Sequence, residues 1–553
     1  MAASAPVAAV ARVVPRLPLI SLALVGALAV LAAPGATLGS AALTPAEARG
    51  KQIYTRGTSS SGEALTAVLG EDGAEIAAAT LPCAGCHGGD GRGGREGGVR
   101  PSDLTWDALG RAGGGEVGGR RYLPYDDRLL VRAIALGIDS AGNRLHVAMP
   151  RYRLPRQAAG DLLAYLRRLG HEDDPGLTAD EVHLGVLLPG GASQETRAEA
   201  EAVRAVLTAR FAALDRAGGG LFGRRLKLHF AQLVDPPGPP APPAARAARL
   251  REILDREPLF ALLGAHLAGA EAEMAAVVAE AAVPLVGPLT PRPRQDFPLN
   301  RYVFYLTAGL AEQANALVEF AARRLPRGGG GPLVIVAPAT GEAAAVAAAV
   351  ASGARGRGFA GVETVAAVAA AEPAAELAGR LARGGAAALL LLDSGRGAQE
   401  LLRQAPRLGW RPLVLLPGSL PGDDPFTVVP PALADRLLIS LPLLPPDRTP
   451  AAAGDYRHLA AAHPLPTHHL AAQMTALASA EVLIEGLKRV GRELSREKLV
   501  TALENLYRFD AGLGAPVSFG PNRRVGARGA YVASLDFARH TLGRQAAWIE
   551  LEP

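Results

Sequence analysis

The chain has 553 residues, of which 49% are hydrophobic and 20% are charged. This length allows about three or four folding units, and the composition excludes an intrinsically disordered chain. Only one long apolar run is present, which excludes a protein with several membrane spans. The net charge is +5 and the basic residues are interspersed with acidic ones, so we predict no nucleic-acid partner.

The first 41 residues have the order of a secretory signal. Arg12 and Arg16 precede a mostly apolar run over residues 17–33, and small residues at 39–41 offer a cleavage site. We therefore predict a signal peptide over residues 1–41 and an exported, periplasmic protein. The alternative is an uncleaved membrane anchor, for which a run of this length is marginal.

Both cysteines of the chain lie in one pentapeptide, Cys83-Ala-Gly-Cys86-His87. This spacing places two thiols on one turn, where they can receive the two vinyl groups of haem with the adjacent imidazole beneath the iron. A thioredoxin-type pair would need a helix after the motif, whereas glycines follow here. A zinc knuckle would need a second pair of ligands. We therefore predict one covalent haem c with His87 as an axial iron ligand.

The sixth iron ligand should come from a distant segment that closes over the other haem face. Met149 is the only methionine between the predicted signal and residue 273, and thioether ligation suits electron transfer. His146 is the competing ligand, because a second imidazole also gives a six-coordinate iron. An open sixth position is the third alternative, and it would permit ligand binding or catalysis.

Two helical patterns flank the cysteine motif, and together with it they resemble a class I cytochrome c. Residues 50–54 are similar to the end of the N-terminal helix of that family, and residues 157–169 are similar to the C-terminal helix that crosses it. The resemblance covers residues 42–172 and implies an all-α domain that carries electrons. In that family a proline carbonyl accepts a hydrogen bond from the proximal histidine, and Pro101 is the candidate for this role.

A second folding unit is predicted after the polar hinge at residues 171–176, because apolar runs typical of strands alternate with helical segments from there on. The strand-like runs cover residues 182–188, 226–230, 259–263, 283–286, 302–306, 333–337, 387–392, 413–416 and 437–441. The alternation predicts an α/β fold with a parallel sheet, and the length predicts two doubly wound sheets.

The order of short motifs across residues 182–553 resembles a type I periplasmic substrate-binding protein of the branched-chain amino acid transporter group. Among these motifs are Leu262-Leu-Gly-Ala265, Tyr302-Val-Phe304 and a long helix over residues 469–490. The resemblance implies a small-molecule ligand held between two lobes that close by a hinge motion, and an ABC permease as partner. The implied lobes are residues 182–306 with 441–505 and residues 307–440 with 506–553.

Four polar residues are candidates for the ligand cleft. In the family, Ser or Thr usually follows the glycine of the Leu-Gly motif and Arg usually follows the Val-Phe strand, whereas this chain has Ala265-His266 and Tyr305 at these places. These departures argue against a branched-chain amino acid as ligand. The candidate cleft residues are His266, Thr290, Tyr305 and Thr307.

The sequence therefore predicts an exported haem c electron-transfer protein that carries a solute-binding domain and exchanges electrons with a periplasmic redox partner. No Ser-His-Asp order, metal-hydrolase spacing or phosphate-binding loop stands out, which argues against a hydrolase or a nucleotidase. An electron carrier and binding protein is favoured over an enzyme, and the question of catalysis stays open. The alternative is an accessory, electron-accepting subunit of a periplasmic dehydrogenase of the quinoprotein type.

Overall fold

The computed structural model describes most of the chain after the predicted signal, which itself lies outside the described residues. It describes residues 43–551 except 60–62, 71–72, 94–100, 171–173, 192, 234–240, 268, 297–298, 325–330, 367–371, 419, 421–424, 444–451 and 513.

The described part before the hinge contains five helices and five short strands. They are α1 Pro45–Arg56, β1 Thr66–Leu69, β2 Ala74–Ala77, α2 Cys83–His87, α3 Trp106–Leu109, β3 Gly115–Val117, β4 Arg120–Tyr122, α4 Asp127–Leu136, β5 Arg151–Arg153 and α5 Arg156–Arg168.

The helices α1 and α5 cross at a glycine. A Cβ atom at Gly50 would overlap the carbonyl oxygen of Asp161 and lie 2.7 Å from the Cβ of Tyr165, so the absence of a side chain lets the two backbones touch. Arg49 in α1 donates two hydrogen bonds, of 2.8 and 2.7 Å, to the Asp161 carboxylate. Tyr54 packs against Tyr165 with ring centroids 5.6 Å apart. The predicted helix crossing is therefore present.

The prediction of an all-α domain over residues 42–172 is wrong, because this segment also contains β-structure. The strand β1 pairs antiparallel with both β2 and β5, and β3 pairs with β4. The β1–β2 connection begins at Gly70 and ends at Gly73, which both have positive φ values. Glycine adopts this conformation without steric cost, which favours a hairpin here.

The part after the hinge alternates strands and helices. The elements are β6 Glu181–Leu188, α6 Gln194–Gly218, β7 Arg225–Gln232, α7 Pro243–Arg256, β8 Ala261–Leu263, α8 Glu271–Glu280, β9 Leu285–Val286, β10 Val303–Thr307, α9 Leu310–Arg324, β11 Leu333–Val336, α10 Glu342–Ala354, β12 Val362–Val365, α11 Ala374–Arg383, β13 Ala388–Leu391, α12 Arg396–Arg407, β14 Leu413–Pro417, α13 Pro425–Val428, β15 Leu437–Leu441, α14 Ala452–Ala462, α15 Leu470–Val490, α16 Arg496–Glu504, β16 Val525–Ala527, β17 Gly529–Asp536 and β18 Thr541–Glu550.

These strands form two sheets, each the centre of one lobe. The first sheet has the order β16-β10-β9-β8-β6-β7 and is parallel throughout. The second has the order β12-β11-β13-β14-β15-β17-β18. Helices cover both faces, which is why the central strands read as continuous apolar runs. The predicted two-lobed α/β architecture is confirmed.

Two details of the predicted lobes are corrected by the strand pairing. The segment 506–527 was predicted in the second lobe, but β16 pairs with β10 of the first sheet and Val517 and Phe519 pack in the core of the first lobe. The second sheet is also not purely parallel. The strand β17 runs antiparallel to β15 and to β18. A direct hairpin joins β17 to β18, and hairpins connect only antiparallel strands.

The helix α15 is the one helix in the described ranges that is long and apolar enough to cross a membrane. Of its most apolar window, 67% is buried inside the protein, and Val482, Leu483 and Leu487 pack in the core of the first lobe. Its apolar character is therefore that of a core helix.

Candidate functional site

The short helix α2 presents the cysteine motif. Pro82 lies at its N-cap, and Gly88, with a φ of +78°, ends it. The hydroxyl of Tyr54 donates a 2.7 Å hydrogen bond to the carbonyl oxygen of Gly88, and the amide of Gly93 donates one of 2.8 Å to the carbonyl oxygen of His87. These bonds fix the end of α2 to α1 and to the following loop, so the histidine is held on a rigid turn.

The ring of His87 is buried and oriented by one hydrogen bond. Its Nδ1 atom lies 2.9 Å from the carbonyl oxygen of Ser102, and a carbonyl oxygen can only accept, so Nδ1–H is the donor. This tautomer leaves a lone pair on Nε2, as an axial ligand requires. Burial lowers the pKa of His87, which keeps the ring neutral.

The prediction that the Pro101 carbonyl accepts this hydrogen bond is wrong by one residue. The carbonyl oxygen of Pro101 instead lies beside Gly93, where a Cβ atom would be only 2.6 Å away. The loop thus turns Pro101 toward the glycine segment and Ser102 toward His87. Pro101 itself lines the same cavity as His87.

A cavity of about 720 Å³ collects the predicted haem residues. Cys83, Cys86 and His87 line it from α2, and His146 and Met149 line it from the segment before β5. Side chains of α1, α4 and α5 make its wall largely apolar. A cavity of this size is typical of cofactor sites.

The segment with the two candidate sixth ligands is fixed by one arginine. The guanidinium of Arg151 donates to the carbonyl oxygens of Met149, Leu145 and His146. His146 is exposed, and its Nδ1 accepts a 3.2 Å hydrogen bond from the Ala148 amide. Met149 is half-buried at the cavity, which favours it as the ligand.

The donor set fits haem c better than the two alternatives. Burial raises the pKa of Cys83 to about 12, whereas a thioredoxin-type pair needs a thiol with a lowered pKa. Within the described ranges no cluster of three or more His, Cys, Asp or Glu side chains could hold a metal ion, which disfavours a zinc site. Arg120 and Arg144 also line the cavity, and their charges suit the propionates of a haem.

The structure places three of the four predicted cleft residues, His266, Thr290 and Thr307, at the carboxyl-end edge of the first sheet. The amide of His266 donates a 2.8 Å hydrogen bond to the carbonyl oxygen of Leu187, the penultimate residue of β6. The hydroxyl of Thr290 donates a 2.8 Å hydrogen bond to Glu271. Thr307 is the last residue of β10. Open α/β sheets bind ligands at this edge.

Tyr305 differs from the other three because its side chain is buried in the core. It is 3% exposed and packs among the apolar residues of the first lobe. Its hydroxyl accepts a hydrogen bond from the Arg294 amide, and burial raises its pKa to about 12. Glu271, Arg294 and Asp296 lie near enough to influence the pKa of this hydroxyl, and all three line a polar cavity between the lobes. The cleft position of Tyr305 therefore stays a prediction, for a side chain that is itself buried.

Sequence reasoning missed a polar cavity of about 370 Å³ that both lobes line. Glu271 and Arg292 line it from the first lobe, and Glu312 and Val346 line it from the second. Glu271 begins α8 and therefore resembles an ordinary acidic residue in a first helical turn. The run Pro291-Arg-Pro-Arg294 could have indicated this cavity, because it forms a stiff basic loop after a strand.

The family of the second part is shown by comparison with known proteins. Residues 181–540 match the family model described as periplasmic binding protein. A search of curated proteins found no match.

Three solved structures share the fold. One, an ABC transporter substrate-binding protein of Aeropyrum pernix, has 14% identity and a TM-score of 0.51, covering 66% of this chain and 95% of that one. A branched-chain amino acid ABC transporter protein of Thermus thermophilus with bound valine has 16% identity and a TM-score of 0.51, covering 67% and 96%. An ABC transporter substrate-binding protein of Desulfitobacterium hafniense in complex with Leu has 16% identity and a TM-score of 0.52, covering 67% and 100%. Because the family model matches residues 181–540, more than half of the chain, the chain belongs to the periplasmic binding protein family.

Proposed function

We propose that this protein is an exported solute-binding protein that also carries one covalent haem c, so that one chain combines solute capture with one-electron transfer. The observation that carries the haem proposal is the meeting of both cysteines, His87 and Met149 at one largely apolar cavity. These residues come from segments about 60 positions apart in the chain, and they are the side-chain types that attach and ligate haem c.

Five residues of the cavity would hold the cofactor. The thiols of Cys83 and Cys86 would form the two thioether bonds, and Nε2 of His87 and the Met149 sulfur would be the axial ligands. The Ser102 carbonyl fixes the plane of the imidazole through its 2.9 Å hydrogen bond. The bound haem supplies a one-electron couple, and the apolar wall limits water at the iron, which tunes the potential.

The solute-binding part supports a small charged or zwitterionic solute. The similar proteins of Thermus thermophilus and Desulfitobacterium hafniense hold valine and Leu. In this chain charged side chains from both lobes line the polar cavity beside Thr290, and Ala265-His266 replaces the expected hydroxyl residue. An ABC permease is the partner that this family membership supports.

The haem proposal is tested by a denaturing gel stained for haem peroxidase activity. Thioether bonds survive denaturation, so protein expressed with a haem-attachment system should stain. The double variant Cys83→Ala, Cys86→Ala should lose the stain completely. The matched control is Met149→Ala, which removes an axial ligand but keeps both thiols and should stain like the wild type. A stained double variant, or an unstained wild type, would refute the proposal.

A further inference from the structure

The segment behind the cysteine motif packs on the first lobe of the binding domain. A Cβ atom at Gly89 would lie 2.9 Å from the Cγ atom of Glu497 in α16. The Glu497 carboxylate accepts a 2.7 Å hydrogen bond from the Tyr302 hydroxyl and forms a 2.9 Å ion pair with Arg301. Its side chain is 16% exposed. Two partners therefore fix this carboxylate at the place where the motif segment touches it.

The neighbouring residue Arg496 anchors the hinge at the same place. Its amide donates a hydrogen bond to the carboxylate of Asp174, which lies in the hinge. Its guanidinium is buried and donates to backbone carbonyl oxygens of Leu259 at 2.6 Å, Ala281 at 3.0 Å, Phe260 at 3.1 Å and Pro175 at 3.4 Å. A single cation thus ties the hinge to the turns of the first lobe.

This joint, formed by Gly89, Glu497, Arg496 and their partners, lies at the amino ends of the strands. Leu259 precedes β8, Ala281 precedes β9 and Tyr302 precedes β10. At the other end of these strands, His266 follows β8, Thr290 follows β9 and Thr307 is the last residue of β10. These strands are parallel, so the two groups lie at opposite edges of the sheet. From Tyr302 to Thr307 the chain advances five residues, or about 17 Å at ~3.3 Å per residue.

We infer that the motif-bearing segment is docked as a fixed part of the first lobe, on the edge of its sheet opposite to the solute cleft, and that its haem exchanges electrons with a separate redox partner and not with the bound solute. This inference rests on the proposed haem c. Each reduction of the haem takes one electron from an external donor, and that donor is oxidised by one electron.

Access to the cavity agrees with an external partner. Cys86 and His146 line the cavity and are both exposed to solvent. A partner can therefore approach the cavity directly from solution, without passing through the sheet of the first lobe.

The placement is tested with a fluorescent dye on the haem-loaded full chain, because haem quenches a nearby dye. Both native thiols are bound to haem, so the dye reacts only with an introduced cysteine. Glu493→Cys places it just before α16, on the side of the joint where the charge of Arg92 is near enough to lower the pKa of Glu493. Asp296→Cys places it at the polar cavity. Both side chains are exposed, by 84% and 73%. The dye lifetime should be several-fold shorter at position 493 than at position 296.

The outcomes separate the inference from the function on which it rests. Haem content is measured first, by the absorbance of the purified protein. A chain without covalent haem overturns the proposed function and the inference together. A haem-loaded chain with equal lifetimes, or with the shorter lifetime at position 296, overturns the inference alone.

Discussion

The crossing of α1 and α5 depends on Gly50, and substitution of this residue provides a sharp test of the packing. In Gly50→Ala the new Cβ atom would overlap the Asp161 carbonyl oxygen, a backbone atom that moves only with its helix. Overpacking of this kind costs up to ~3 kcal/mol, and alanine returns ~1 kcal/mol of helix propensity. We expect a net loss of ~2 kcal/mol.

The matched control is Gly160→Ala, which lies on the exposed side of α5. Nothing lies within 4 Å of a Cβ atom at this position, so only the helix propensity changes, and we expect a gain of ~1 kcal/mol. The two glycine-to-alanine variants should therefore differ by ~3 kcal/mol, in opposite directions from the wild type.

Hydrogen–deuterium exchange measures this difference locally, since amide exchange reports the free energy of opening. Peptides from α1 and α5 should exchange about 30-fold faster in Gly50→Ala and about 5-fold slower in Gly160→Ala, because each 1.4 kcal/mol is a factor of ten. Tyr54, Leu162 and Leu166 line the cavity from these helices, so separating them also opens the cofactor site. Equal exchange in the two variants would refute the helix contact.

Two further predictions concern the iron and the joint. In the oxidised protein, Met149→Ala should abolish the weak near-infrared band of thioether ligation and lower the reduction potential, whereas His146→Ala should change neither; the opposite pattern would establish bis-histidine ligation. Arg496→Leu should lower the free energy of unfolding of the full chain by ~3 kcal/mol in urea titrations, because hydrogen bonds to three close carbonyl oxygens are lost at ~1 kcal/mol each. The exposed control Arg403→Leu should change the free energy of unfolding by less than ~0.5 kcal/mol.

The central strands of both lobes could be predicted from the sequence because both faces of each sheet are covered. Such strands are apolar at every position, as in β11 and β13, where all residues are buried. The edge strand β12 was missed since its two middle residues are exposed and its apolar pattern is correspondingly weak. The same double coverage explains why the burial of Tyr305 could not be predicted, because an apolar strand gives no sign of which side chain faces the cleft.

The two candidate sites differ in how close together their residues lie in the sequence. The cysteine motif is contiguous, so its spacing alone indicated the cofactor. The acceptor of the His87 hydrogen bond lies 15 residues away, across a glycine-rich segment whose path the sequence does not fix, and this led to Pro101 in place of Ser102. The polar cavity is assembled from two lobes, and no local pattern connects Glu271 with Glu312.

The strength of the joint comes from its buried groups and not from its surface charges. A second contact between the motif-bearing segment and the first lobe, outside the joint, is the ion pair between Arg56 and Glu280. Both of its side chains are about half exposed, and such pairs contribute ~0–1 kcal/mol and weaken with salt. Arg496 is 7% exposed, and its guanidinium donates to backbone carbonyl oxygens, so salt weakens these buried bonds little. Because Arg496 also holds the hinge, through the Asp174 carboxylate and the Pro175 carbonyl, the motif-bearing segment should stay with the first lobe at physiological ionic strength while the second lobe closes over a solute.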